Sequence, residues 1–270
     1  MLSSRLLIFA GLAISPALAQ VPSAPTSPLT TAMSLRQHAP MRLHELLPDG
    51  KVTSENWSGY AVTGSSFTEA SGSWKIPAVD CAKTPNAYAA FWVGIDGYSS
   101  TTVEQTGTLS YCEGITPAYY AWYEFYPAGS VEIPSVPVSP GNVMSATVTY
   151  SGSAFTTTIT NETTGKSYSK TQAVAGANRS SAEWIAEAPC CTGKGGILPL
   201  ADFKKVSFGE DYTNVSDTNY ATDATISGPI SEFGSSAHEI TMVSSKGKDE
   251  AVPSALTADG TSFKVTWKSK

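Results

Sequence analysis

The chain has 270 residues, of which 17 are Lys or Arg and 23 are Asp or Glu, so its net charge at pH 7 is −6. This acidic balance argues against the basic surface that nucleic-acid-binding domains need, and we expect no nucleic-acid partner. Charged residues make up only 15% of the chain. Together with abundant Ser, Thr and Gly, this composition is typical of a secreted β protein.

The first 19 residues predict a secretory signal peptide. Arg5 precedes an apolar run from Leu6 to Ile14, and an Ala-Leu-Ala cleavage pattern ends at Ala19. The run is too short to cross a bilayer as a helix. We therefore expect a secreted, extracellular protein that does not associate with a membrane.

Residues 20–50 predict a pro-segment or leader, with an approximate boundary at its end. The stretch begins rich in Pro, Ser and Thr and then carries a short basic patch of Arg36, His38, Arg42 and His44. A basic segment that covers an acidic domain could inhibit it. A merely disordered leader is the alternative, and the sequence leaves both open.

Residues 51–270 predict one all-β domain. Short runs rich in aromatic and β-branched residues recur every 8 to 15 residues or so, separated by Gly, Pro, Asn and Ser, as in an antiparallel sandwich or barrel. From residue 143 to residue 150, Met144, Ala146 and Val148 alternate with more polar positions, and Thr164-Gly165 marks a hairpin turn. We find no convincing helix beyond the signal peptide.

Four cysteines are expected to pair in an oxidising compartment. They are Cys81, Cys112, Cys190 and Cys191. Four cysteines allow three connectivities, and the sequence does not choose among them.

The residues that remain after the leader exclude several hydrolytic chemistries. His238 is the only histidine there, so a zinc site with two histidine ligands is impossible, and we expect no metal and no cofactor. No Gly-x-Ser-x-Gly motif is present for a serine nucleophile. Carboxylates, amides and water remain.

Five fragments in order, "NWSGYAV", "FWVGIDGYSSTTVEQTGT", "AWYEFYP", "AEWIAE" and "LADFKKVSF", resemble the glutamic peptidase (eqolisin) family. The resemblance implies a sandwich of two large antiparallel sheets, of the concanavalin A-like or jelly-roll type. It also implies a secreted acid endopeptidase made as a zymogen, with a catalytic pair of one glutamine and one glutamate.

The resemblance places this catalytic pair on Gln105 and Glu183. Ionised, Glu183 could activate a water molecule as a general base, and the Gln105 amide could stabilise the oxyanion of the tetrahedral intermediate. We expect the pKa of Glu183 to lie near or below about 4.3. A second carboxyl group, Asp96 or Glu124, would then have to act protonated.

The resemblance also implies a set of residues that bind the substrate. They are Trp57, Trp92, Asp96, Tyr123 and Glu124. The expected partners are protein or peptide substrates and the chain's own pro-segment as an inhibitor, whose basic residues would pair with Asp96 and Glu124. We expect a monomer.

Two other functions remain as alternatives. The first is a secreted glycan-binding or glycan-cleaving sandwich, since this architecture also serves such proteins and exposed tryptophans stack on sugars. The second is an inactive relative that acts as a secreted binding protein.

Overall fold

The computed structural model describes residues 36–47, 51–191 and 196–269. The predicted signal peptide and the first part of the predicted leader lie outside the described residues. The described chain is mainly β-structure, with a short α-helix, α1 (Glu210–Thr213), and a 3-10 helix (Ile230–Ser236) that the sequence did not predict. Among these residues, no helix has the length and apolar character that crossing a membrane requires.

The strands are short and follow one another through tight turns. In chain order they are β1 (Arg36–Gln37), β2 (Leu43–Leu46), β3 (Val52–Ser54), β4 (Trp57–Thr63), β5 (Glu69–Lys75), β6 (Tyr88–Ile95), β7 (Val103–Glu113), β8 (Thr116–Tyr126), β9 (Val131–Glu132), β10 (Val143–Ser151), β11 (Ala154–Asn161), β12 (Lys166–Gln172), β13 (Ser181–Glu187), β14 (Cys190–Cys191), β15 (Lys205–Phe208), β16 (Tyr220–Thr222), β17 (Ser227–Pro229), β18 (Ala237–Val243), β19 (Asp249–Pro253) and β20 (Phe263–Trp267).

Two antiparallel layers form the predicted sandwich. The cleft sheet, as we name it, runs in the order β9, β8, β7, β6, β13, β4 and β18. The outer sheet runs β20, β15, β5, β10, β11 and β12. Strand β19 pairs with both β18 and β20 and joins the two sheets. The fold class implied by the resemblance is confirmed.

The main hydrophobic core lies between the two sheets, and every second side chain of β10 points into it. Met144, Ala146 and Val148 are buried, as predicted, while the side chains between them are more exposed. The predicted hairpin also forms, because β11 pairs with β12 from Asn161 opposite Lys166.

A second apolar cluster covers the other face of the cleft sheet. Trp57, Trp92, Trp122 and Ile185 are buried there, and Met41 of the leader packs against them. The central strands of this sheet are therefore buried on both faces, and β6, β7 and β13 have almost no exposed side chains.

The described part of the leader pairs with the domain at two places. Strand β1 pairs with β14, and β2 pairs with β3. The segment between β1 and β2 crosses the cleft sheet. Residues 36–47 are therefore an ordered part of this fold, and a leader without structure is wrong for this segment.

A disulfide joins Cys81, in the loop before β6, to Cys112 near the end of β7, with an S–S distance of 2.08 Å. Cys190 is buried and forms no disulfide among the described residues, contrary to the expectation that all four cysteines pair.

Candidate active site

The strand register brings four polar or small residues into one row across the cleft sheet. Glu183 on β13 lies opposite Gly94 on β6, Gly94 lies opposite Gln105 on β7, and Gln105 lies opposite Glu124 on β8. Residues directly opposite each other in antiparallel strands share a face. These side chains therefore point to the cleft.

The next row on the same face, two residues further along each strand, is largely aromatic. Trp92 lies between Ile185 and Gly107, and Gly107 lies opposite Trp122. A Cβ atom on Gly107 would come within 2.5 Å of the Trp92 Cβ and 2.4 Å of the Phe91 carbonyl oxygen. The glycine after Gln105-Thr106 is therefore needed to seat Trp92.

Glu187 and Trp57 share a third row, where they lie directly opposite each other on β13 and β4. The indole rings of Trp57 and Trp92 meet edge to face with their centroids 4.8 Å apart. The Trp92 Nε1–H donates to Glu187 Oε2 at 2.8 Å. The two predicted tryptophans thus form one wall of the cleft and orient a carboxyl group.

His38 of the leader fills the centre of the cleft and is fully buried. Its ring stacks on Trp122 with the centroids 3.6 Å apart and the planes 5° from parallel. The ring Nδ1 lies 2.9 Å from Glu187 Oε2, and the backbone N–H donates to Glu124 Oε2 at 2.9 Å. A residue of the predicted leader therefore occupies the centre of the cleft.

Gln105 contacts the same leader residue through its side-chain amide. Its Nε2 donates to the His38 carbonyl oxygen at 2.6 Å and to Glu124 Oε2 at 3.0 Å. One N–H of the Gln105 amide is therefore held by the Glu124 carboxyl group, and the other is aimed at a peptide carbonyl oxygen.

Burial is the largest cause of the shifted pKa values of the two carboxyl groups that contact His38, Glu187 and Glu124. It raises the pKa of Glu187 well above the ordinary value, although the hydrogen bond from Trp92 opposes the rise. Burial also raises the pKa of Glu124, and the nearby charge of Glu187 raises it further. Each of these carboxyl groups therefore keeps its proton to a higher pH than an exposed glutamate does.

Glu183 faces the cleft but lies apart from this cluster. Gly94 separates it from Gln105 in the row, so the two side chains are not direct cross-strand neighbours. Among the described residues, no hydrogen bond joins the Glu183 carboxyl group to Gln105 or His38. Burial, with Asp96 and Glu104 nearby, raises its pKa. The expectation of a low pKa is therefore wrong.

Asp96 has a structural role that the sequence did not indicate. Its carboxyl oxygens accept hydrogen bonds from the backbone N–H groups of Asn178, Arg179 and Ser180 and from the Ser180 hydroxyl. The donor–oxygen distances are 2.7–3.0 Å. These hydrogen bonds anchor the segment before β13. Asp96 is thus already committed, and the geometry does not support its expected contact with substrate.

Tyr123 lies on the opposite face of β8 from Glu124, because successive side chains of a strand alternate. Its ring stacks on Tyr168 of β12, with the centroids 5.8 Å apart. The expectation that Tyr123 lines the cleft is therefore wrong. Trp122, on the cleft face, is the aromatic residue that meets the leader.

For the two leader histidines, the expected ionic pairing with Asp96 and Glu124 is also wrong in its partners. The His38 ring Nδ1 meets Glu187, and the His38 backbone N–H donates to Glu124. The His44 ring lies 3.9 Å from Glu55, which is outside the cleft centre.

The sequence interpretation did not assign Glu187 or Trp122 to this cluster. Glu187 is the second glutamate of "AEWIAE" and shares a face with the first, so spacing alone could not separate them. Trp122 stands two residues before Glu124, and this spacing could have placed it in the cleft. His38 was expected to reach the cleft as one of the basic leader residues, but no local pattern indicates its contacts with Gln105 and Glu187.

Solved structures of peptidases share this fold. Scytalido-glutamic peptidase with a transition state analog inhibitor is 27% identical, aligns with a TM-score of 0.66, and covers 79% of this chain and 98% of its own. SCP-B, a member of the Eqolisin family of peptidases solved in complex with the tripeptide Ala-Ile-His, is 26% identical with a TM-score of 0.62, and the match covers the same shares of the two chains.

The fold, together with a cleft in which a glutamine amide lies among glutamate carboxyl groups, places the chain in the class of glutamic peptidases. Aspergillopepsin-2 of Aspergillus niger is 29% identical over 198 residues, which are 64% of this chain and 69% of the relative. Scytalidopepsin B of Scytalidium lignicola is 32% identical over 177 residues, 62% of this chain and 65% of the relative. The profile of the Peptidase A4 family matches residues 55–252. The chain belongs to the Peptidase A4 family, and the resemblance seen in the sequence is confirmed.

Proposed function

We propose that this chain is a secreted acid endopeptidase whose catalytic pair is Gln105 and Glu187. One observation carries the proposal: a single peptide residue, His38, accepts a hydrogen bond from Gln105 and contacts Glu187. Membership of the Peptidase A4 family supports the reaction class. The same geometry favours Glu187 over Glu183 as the partner of Gln105.

Glu187 acts as the base and then as the acid. Its ionised carboxylate takes a proton from a water molecule as the water oxygen attacks the substrate carbonyl carbon, and later delivers that proton to the leaving nitrogen. Burial beneath the leader is the main cause of its raised pKa. Solvent that enters the cleft after the leader departs lowers this pKa, so the base is ionised in mild acid.

Gln105 stabilises the charge that develops on the carbonyl oxygen. Its N–H group already points at a carbonyl oxygen, and a neutral amide donor keeps its proton at every pH of interest. Glu124 positions this amide, and in acid it is the carboxyl group that works protonated, because burial and Glu187 both raise its pKa. Asp96 is excluded from that role by its hydrogen bonds to the segment before β13.

The leader acts as the inhibitor of the precursor. His38 covers Gln105, Glu124, Glu187 and Trp122 at once, so no substrate can reach the pair while it is bound. Its hold depends partly on attraction between the imidazole ring and the Glu187 carboxylate.

The substrate is a protein or peptide bound in an extended form across the cleft sheet. Relatives solved with a transition state analog and with a tripeptide support this class of ligand. Every group of the site comes from a single chain, so a monomer is sufficient.

One assay separates the proposal from the glycan alternative. The purified chain is incubated with denatured casein and, in parallel, with soluble β-glucan, at pH 3 and at pH 7. We expect hydrolysis of casein at pH 3 alone. Release of sugar without release of peptides would overturn the proposed function.

A further inference from the structure

The leader is held on the amino-terminal side of His38 by a strand edge. Gln37 pairs with Cys190 in the β1–β14 ladder, and the Cys190 thiol donates to the Gln37 carbonyl oxygen at 3.4 Å. The Gln37 side chain also donates to the Pro127 carbonyl oxygen at 3.4 Å. This end of the cleft thus fixes the chain direction of the bound segment.

The carboxyl-terminal side of His38 is held independently. The Met41 N–H donates to the Gly97 carbonyl oxygen at 3.0 Å, and the Arg42 N–H donates to Asn56 Oδ1 at 2.7 Å. Asn56 Nδ2 in turn donates to the Pro40 carbonyl oxygen at 3.3 Å. The peptide bond that follows His38 is therefore held between two anchored segments, as the bond of a substrate would be.

The His38 carbonyl is the leader carbonyl that meets Gln105. The Gln37 carbonyl oxygen accepts from the Cys190 thiol instead, and the carbonyl oxygens of Ala39 and Pro40 accept from Asn56 Nδ2. Gln105 Oε1 and Glu187 Oε1 are both buried and have no hydrogen-bond partner among the described residues. Each can accept one hydrogen from a water molecule that approaches the His38 carbonyl carbon.

We propose that the His38–Ala39 peptide bond is the chain's own processing site, cut within the same molecule by Gln105 and Glu187. This inference rests on the proposed function and names one substrate of that site. The water oxygen bonds to the His38 carbonyl carbon and Glu187 takes the proton. The carbon–nitrogen bond then breaks and the proton passes to the Ala39 nitrogen. The products are a leader that ends at the His38 carboxylate and a chain that begins at Ala39.

The surroundings of His38 also define which side chain can precede the cut. The Trp122 face and the Glu187 carboxyl group together suit a flat ring that can carry positive charge. Histidine ordinarily gains its proton as the pH falls below about 6.5. A protonated ring beside Glu187 favours the ionised carboxylate that the reaction needs.

The residue after the cut makes a matched set of variants possible. Ala39→Pro replaces the leaving amide by a tertiary one without an N–H group, whereas Ala39→Gly keeps it. His38→Phe keeps a flat ring for Trp122 but cannot contact Glu187 through a ring nitrogen. Glu187→Gln removes the base and keeps the shape.

The test follows the full chain with its leader after a shift from pH 7 to pH 3, by intact mass and sequencing of new amino termini. We expect a terminus at Ala39 and a fragment that ends at His38, formed at a rate that does not change over a hundredfold dilution. Ala39→Gly should be cut at the same bond. His38→Phe should be cut at least tenfold more slowly, and Ala39→Pro and Glu187→Gln should keep this bond intact.

The outcomes separate this inference from the proposed function. If wild type hydrolyses casein while the His38–Ala39 bond stays intact or is cut only in trans, the inference is overturned and the proposed function stands. If neither casein nor the leader is cut, the proposed function itself fails. A synthetic peptide of residues 34–43 serves as a second probe, and cleavage of it at any other bond counts against the inference.

Discussion

His38 bridges Gln105 and Glu187: its carbonyl oxygen lies 2.6 Å from Gln105 Nε2, and its ring Nδ1 lies 2.9 Å from Glu187 Oε2. Two side chains from separate strands thus converge on one residue of a bound segment. Glu183, in the same row as Gln105, makes neither contact. This relationship decides which glutamate is expected to carry the reaction.

The first prediction compares the two glutamates of β13. Glu187→Gln should abolish hydrolysis of denatured casein at pH 3, because the proton acceptor is lost while the shape is kept. Glu183→Gln should retain activity within about tenfold of wild type, since its carboxyl group lies away from the bound peptide. Initial rates at saturating substrate measure both. An inactive Glu183→Gln beside an active Glu187→Gln would reverse the assignment.

The second prediction concerns Gln105. Gln105→Ala should lower kcat by about 10²–10³, the usual effect of losing one oxyanion donor. Tyr123→Phe is the matched control, because Tyr123 lies on the other face of the sheet and stacks on Tyr168. It should leave both kcat and KM unchanged. A Gln105→Ala variant with normal kcat would remove the amide from the mechanism.

The third prediction tests the space beside Trp92. Gly107→Ala places a Cβ atom 2.5 Å from the Trp92 Cβ, so β6 and β7 must shift. We expect a loss of roughly 1–3 kcal/mol in the free energy of unfolding, typical of overpacking. Gly129→Ala is the control, since no atom lies within 4 Å of its new Cβ. Denaturant unfolding at pH 4 measures both, and equal stability of the two variants would contradict the packing argument.

The fourth prediction concerns Glu104 and the dependence of stability on pH. Burial, with the charge of Asp96 as a smaller cause, raises the pKa of Glu104 from 4.5 to about 8. The folded state therefore binds this proton more tightly than the unfolded state. Its stabilising contribution is complete below pH 4.5 and is lost as the pH rises towards 8.

Glu104→Gln should remove this loss, because an amide stays neutral at every pH. At pH 7 the gain over wild type should be roughly 3 kcal/mol, from 1.36 kcal/mol per pKa unit. At pH 3 the two proteins should unfold alike. Glu113→Gln, at an exposed position, should change neither value. A Glu104→Gln gain that is the same at both pH values would contradict the titration argument.

Much of the fold could be predicted because the strands carry local signals. The β10 alternation and the turn at Thr164-Gly165 lie within a few residues, and the structure confirms both. The two short helices escaped prediction because four and seven residues carry too little periodicity.

The sequence could predict which residues of each strand face the cleft, but not which of them contact the bound segment. Gln105, Trp57 and Trp92 were placed by the family fragments, and they share the cleft face. Glu183 and Glu187 could not be distinguished, since residues four apart on a strand point the same way. Which of them reaches the bound segment depends on the path of the leader across the sheet.

Asp96 shows a different reason for failure. It lies beside the cleft and carries a charge, so a contact with substrate was a reasonable expectation. Its φ of 71° turns the chain, and its carboxyl group is taken by backbone N–H groups some 80 residues away in sequence. No local pattern reveals a hydrogen bond over that separation.

The disulfide between Cys81 and Cys112 closes a loop of 31 residues. That loop contains both Trp92 and Gln105, so one covalent ring carries a wall of the cleft and its amide donor. In the chain-entropy view, such a ring restricts the unfolded chain and stabilises the folded one by about 4 kcal/mol. Reducing the disulfide removes no side chain from the site. It would nevertheless raise the fraction of unfolded molecules, in which the site does not form.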